Sequence, residues 1–149
     1  MRKQTIQPSL RRCRRGAALI EFVIVVSLLI LMLFGIIEVG LLFKDQATIS
    51  QAAREAARSA AVGSSTTTAK SRAVNTAAGI TLATSNVTLE KSTDNGATWT
   101  TLGDSGSNND AVAGNLIRAT VTYNHSLVTS LIYTGGTKTL TAKMIMRRE

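Results

Sequence analysis

The chain has 149 residues, a formal net charge of +8 and an aromatic content of 4%, room for about one small domain plus an anchor. Six of its seventeen basic residues (Arg2, Lys3, Arg11, Arg12, Arg14, Arg15) precede Gly16, and the rest of the chain carries eleven basic against nine acidic residues. Nucleic-acid readers spread positive charge along a face and interleave aromatics for stacking, so this distribution excludes a nucleic-acid partner.

The basic tag holds the only cysteine, Cys13, so no intrachain disulfide and no cysteine-built metal site is expected. Ala17 to Phe43 follows, with charges only at Glu21 and Glu38. Its uncharged core, Phe22 to Ile37, spans about 24 Å as a helix and reaches across a ~30 Å hydrocarbon layer once its apolar flanks are added. Basic residues crowd one flank, which places the N-terminus in the cytoplasm and the remainder outside, in contact with a lipid bilayer along the apolar run. A cleaved secretory signal would have a shorter apolar region closed by a small-residue cleavage site, whereas Lys44-Asp45-Gln46 stands here. Glu21 is the odd residue. An unpaired carboxylate is costly in hydrocarbon, so it either snorkels at the edge or has a partner. Glu38 is expected near the outer interface as a solvated or helix-contact residue.

"KDQATISQAAREAARSAAV", Lys44 to Val62, extends the helix outside the membrane, being free of glycine and proline and dominated by alanine. Ile49, Ala53, Ala56 and Ala60 share one face, and Glu55 and Arg58 are spaced to pair. Gly63 suits a left-handed cap. A short second helix is expected over Ala69 to Ala78, ending at Gly79. Val87 and Leu89 then alternate with polar residues, and "TDNG" followed by "ATWTTL" reads as a hairpin. Trp99 is expected as a core or sheet-face anchor. The composition of residues 103–114 reads as a flexible loop. Two strands complete the chain, one with Ile117, Ala119, Val121 and Tyr123 on a face, the other with Leu140, Ala142, Met144 and Met146. The expected fold class is α+β: a long N-terminal helix whose outer half packs on a small antiparallel sheet.

No catalytic constellation stands out. His125 is the only histidine, so no histidine-rich metal site or nucleophile–histidine pair is encoded. Asp94, Asp104 and Asp110 sit in turn-forming contexts, without the spacing of a calcium-binding EF-hand loop. No cofactor and no enzymatic activity are expected.

A basic leader ending in Gly16, four apolar residues, Glu21 and a long apolar run together resemble a type IV prepilin signal. The match extends further: "RRGAALIEFVIVV" with "GIIEVG", followed by "QAAREAARSAAVG" and the closing "LTAKMIMRRE", is similar to the TadE family of pseudopilins from tight-adherence (Flp-type) pilus systems. Ser27 stands where that family often has a proline, and Phe22 where the Flp-type signal commonly has tyrosine. The resemblance implies a pilin-like fold in the inner membrane of a bacterium. It implies a prepilin peptidase that cuts between Gly16 and Ala17 and removes residues 1–16, leaving residues 17–43 as the transmembrane and assembly helix, 44–62 as its outer continuation and 63–149 as the outer domain. It assigns Gly16, Ala17 and Glu21 to leader processing, and Ala17, Glu21 and Phe22 to subunit assembly. The implied partners are other pilins or pseudopilins of the system and an inner-membrane assembly platform. The new α-amino group at Ala17, with a reference pKa of about 7.7 to 8.0, then offers Glu21 a partner, on its own or a neighbouring subunit. An alternative from another class is a single-pass anchored binding module that does not polymerise.

Overall fold

The structure, a computed structural model, describes residues 11–127 and 136–149; the first ten residues of the expected leader lie outside it. The chain divides into two compact units at Ile37/Glu38, and one helix, α1 (Arg11–Ala61), supplies the first and enters the second. It begins six residues before the start expected at Ala17.

In the first unit, the large apolar side chains from Leu19 to Ile37 other than half-buried Val26 are exposed, Ile24 and Leu28 each at 66%. Among the described residues, one helix, Gly16–Ala61, is long and apolar enough to cross a membrane. A chain in water does not leave such a run uncovered. Ser27, where a proline would have bent the helix, donates its hydroxyl to the Val23 carbonyl at 2.8 Å, which satisfies the group within the apolar run.

In the second unit, α1 turns one stripe inward: Ile49, Ala52, Ala53, Ala56, Ala57 and Ala60 are all buried, at the spacing of a single helical face. The elements after it are α2 (Thr66–Thr76), β1 (Val87–Ser92), β2 (Thr100–Thr101), β3 (Asp104–Ser105), β4 (Asn108–Asn109), β5 (Leu116–Ser126) and β6 (Thr137–Arg147). The main sheet is antiparallel in the order β2-β1-β5-β6. Val87 and Leu89 on β1, Ile117, Ala119 and Val121 on β5 and Ala142 on β6 form one core with the alanine stripe and with Ala69, Ala73 and Ala77. Few side chains there exceed valine in size, so the core depends on close helix–sheet approach, which alanine permits. The fold is α+β, as the sequence patterns imply.

Local hydrogen bonds at the end of α1 stop the helix there. Gly63, at φ +99, donates to the Ala60 carbonyl, and Ser64 N–H to that of Ser59, a Schellman closure. The Ala61 carbonyl receives Arg148 Nη1 at 2.9 Å, and Asn109 Nδ2 reaches the Ala60 and Ser64 carbonyls at 2.7 and 2.8 Å. Residues 103–114, read from composition as flexible, thus contain the β3–β4 ladder and a buried asparagine on the helix end. The second helix starts three residues before Ala69 because Ser65 caps it, its hydroxyl accepting from Thr68 N–H at 3.3 Å. Trp99 anchors the sheet face opposite the alanine stripe: the Arg118 guanidinium lies 4.1 Å over its ring and bonds Glu90 at 2.7 Å.

Three carboxylates of this unit sit below their ordinary range. Asp94 is lowered by hydrogen bonds from the Ser92 and Thr98 hydroxyls and Thr98 N–H. Asp110 is lowered first by Lys91 at 2.6 Å and then by Gly103 N–H, and Glu55 first by its hydrogen bond with Arg58. Depressed folded values stabilise above the unfolded carboxylate range, about pH 4, and that contribution disappears as pH falls toward the folded values. Thermal unfolding followed by Trp99 fluorescence should therefore show a Tm that drops below about pH 4; a Tm unchanged from pH 7 to strong acid would contradict this.

Candidate functional site

Gly16, Ala17, Glu21 and Phe22 all lie on α1 and are exposed, Phe22 at 64%. Ala17 and Glu21 are four residues apart and therefore neighbours on one helical face. A Cβ placed on Gly16 meets nothing within 4 Å, so its small size serves no packing role in this unit. Glu21 has no ion pair or hydrogen bond among the described residues. The arrangement offers a carboxylate without a partner, one turn from the bond expected to be cut, on a helix whose apolar surface is uncovered.

The second unit holds a polar cluster that the sequence patterns did not assemble. Glu38 and Asp45 project from the buried stripe of α1, at 1% and 5% exposure, and His125 projects from β5 at 5%. Asp45 lies seven residues after Glu38 and four before Ile49, so all three share a face. His125 continues the inward alternation Ile117, Ala119, Val121, Tyr123. Its Nδ1–H donates to Asp45 Oδ2 at 2.7 Å, and its Nε2 faces Glu38 Oε1 at 3.7 Å, beyond hydrogen-bond reach. Lys44 Nζ stands 3.6 Å from the other Asp45 oxygen, Oδ1. Glu38, expected to be solvated or in a helix contact, is therefore not solvated: it is 1% exposed. No group of three or more metal-ligating side chains suited to an ion is found among the described residues. Two carboxylates on a helix and one imidazole on a strand thus meet in a buried polar cluster.

The family model described as TadE-like protein matches residues 16–58. No curated protein and no solved structure matches. The matched stretch starts at Gly16, contains Glu21 and the exposed apolar run, and takes in Glu38, Asp45 and most of the alanine stripe. Over residues 16–58 the chain is similar to the TadE-like protein family.

Proposed function

We propose that this chain is a minor pilin (pseudopilin) of a tight-adherence, Flp-type pilus system that serves surface attachment. It is anchored in the bacterial inner membrane with its N-terminus in the cytoplasm and its α+β domain outside. A prepilin peptidase cuts between Gly16 and Ala17, and the apolar helix remains on the product as the element that docks on other pilins and on the inner-membrane assembly platform. The observation that carries this reading is the coincidence of three features in one stretch: the family match beginning at Gly16, an unpaired Glu21 at the fifth position beyond it, and an apolar helix surface left open. Its role is structural, not catalytic.

Glu21 acts after the cut. The new ammonium at Ala17 pairs with a Glu21 carboxylate of a neighbouring subunit, or with its own before docking. Between apolar helices either charge alone is costly, so the pair sets the axial register of the subunits. Glu21→Ala should leave membrane anchoring intact while reducing incorporation into assembled complexes severalfold. Cross-linking with the companion pilins after membrane extraction measures this; equal cross-linking of the variant and the parent would refute the role given to the carboxylate.

A further inference from the structure

Among the described residues, strand β6 pairs along one side only. Leu127 N–H donates to the Gly136 carbonyl at 3.1 Å and Arg148 N–H to that of Asn115 at 2.7 Å, bracketing the register in which Leu116 faces Arg147 and Ser126 faces Thr137. Hydrogen-bonded pairs alternate in an antiparallel ladder. The even-numbered residues of β6 therefore bond to β5, and the odd-numbered ones, Thr137 to Arg147, turn their N–H and C=O groups to the other side. No strand among the described residues lies there. One of those carbonyls, that of Thr141, accepts from Gln46 Nε2 of α1 at 3.3 Å. A side-chain amide thus occupies a place that a strand N–H would fill.

Two further features say what fits. Beside this edge, Val39, Leu42, Phe43 and Gln46 of α1 and Lys138 and Leu140 of β6 enclose an open cavity of about 280 Å³, with Phe43 71% exposed. The strand itself, TKTLTAKMIMR, carries two lysines and an arginine and no acidic residue. Pairing with β6 of a second copy would bring like charges together, the usual protection of an edge against self-association. An acidic strand meets no such barrier.

We propose that β6 is a receiving edge that takes an extended segment of another polypeptide as an added strand, with apolar and acidic residues alternating along it. The period of two sends the apolar side chains into the cavity against Leu42, Phe43 and Leu140, and the acidic ones to the opposite face beside Lys143 and Arg147. The incoming N–H replaces Gln46 at Thr141. This inference stands on the second unit alone and does not depend on the pilus reading.

The full chain in zwitterionic detergent, titrated with synthetic octapeptides alternating Val with Glu or Val with Lys, tests it. The Val/Glu peptide should bind at least about tenfold more tightly than the Val/Lys peptide and slow hydrogen exchange at the amides of Thr139, Lys143, Ile145 and Arg147. Ile145→Pro removes one outward N–H without touching the β5 ladder and should weaken binding about tenfold. Lys143→Glu keeps every backbone group and should diminish or reverse the preference, so the test survives if the proline variant does not fold. Absence of binding, equal binding of the two peptides, or a preference unchanged by Lys143→Glu would overturn the proposal. So would a peptide-free dimer that protects the same amides, because the occupant would then be a second copy.

Discussion

His125→Ala should destabilise the outer domain by about 3–5 kcal/mol, the usual consequence of removing the partner of a buried carboxylate. The imidazole stands between Glu38 and Asp45, 3.7 Å from one and 2.7 Å from the other, and all three residues are at least nine-tenths buried. Without it, Asp45 loses its buried donor and the two carboxylates repel across a cavity. Small domains have only about 5–15 kcal/mol of stability in total, so the variant should lose a large share of it. Denaturant unfolding monitored through Trp99 measures the loss. The double variant Asp45→Ala/His125→Ala should be less damaged than the sum of its single variants, because the second change removes a stranded charge. A loss below about 1 kcal/mol for His125→Ala, or strict additivity, would show that the cluster contributes no specific interaction.

Gly16→Glu should abolish processing while leaving the fold intact. The two effects separate because nothing lies within 4 Å of a Cβ at this position, and replacing glycine inside a helix favours the helix by up to about 1 kcal/mol. The loss therefore has to arise at the peptidase, where a long charged side chain replaces a hydrogen atom beside the bond to be cut. Co-expressed with a prepilin peptidase, the variant should yield less than about a tenth of the parent's mature product, equivalent to more than 1.4 kcal/mol in the barrier to cleavage. Mass spectrometry of membrane extracts gives the ratio, and Gly16→Ala serves as the small-residue control. Normal maturation of the glutamate variant would place the cut elsewhere.

Much of the fold was legible because its core uses two simple periods. The helical spacing of Ile49, Ala53, Ala56 and Ala60 and the alternation of Ile117, Ala119 and Val121 mark the faces that are buried. The Glu55–Arg58 pair and the Gly63 cap follow from spacing as well. Ser64 to Thr68 has the composition of a break, which hides the start of α2, although Ser65 has the chemistry of an N-cap. Asn109 could not be foreseen as an anchor: its partners lie on α1, more than forty residues away in sequence. The buried cluster was missed for an instructive reason. Depth along the chain places Glu38 at the outer interface, whereas the helical face it shares with Asp45 and Ile49 turns it inward. Extending the β5 alternation two residues past Tyr123 would have brought His125 to the same side of the sheet. A carboxylate on an otherwise apolar stripe and a histidine at the end of an apolar alternation are each weak signals. Together they indicate a pair.

The prepilin-type positions lie at the other extreme. Gly16, Ala17, Glu21 and Phe22 were named from their order alone, and the structure places them on one exposed helix without adding a contact. Their proposed roles depend on molecules outside the chain, a peptidase and neighbouring subunits, so a single folded subunit carries no trace of them beyond an open surface.

The identity of the first residue in the mature protein, determined by mass spectrometry after co-expression with a prepilin peptidase, therefore probes the proposal most directly. A membrane-bound product that starts at Ala17 and retains the entire hydrophobic helix is the predicted result. Recovery of uncut chains that still carry the arginine-rich leader, or of a form that has lost the hydrophobic helix altogether, would contradict it.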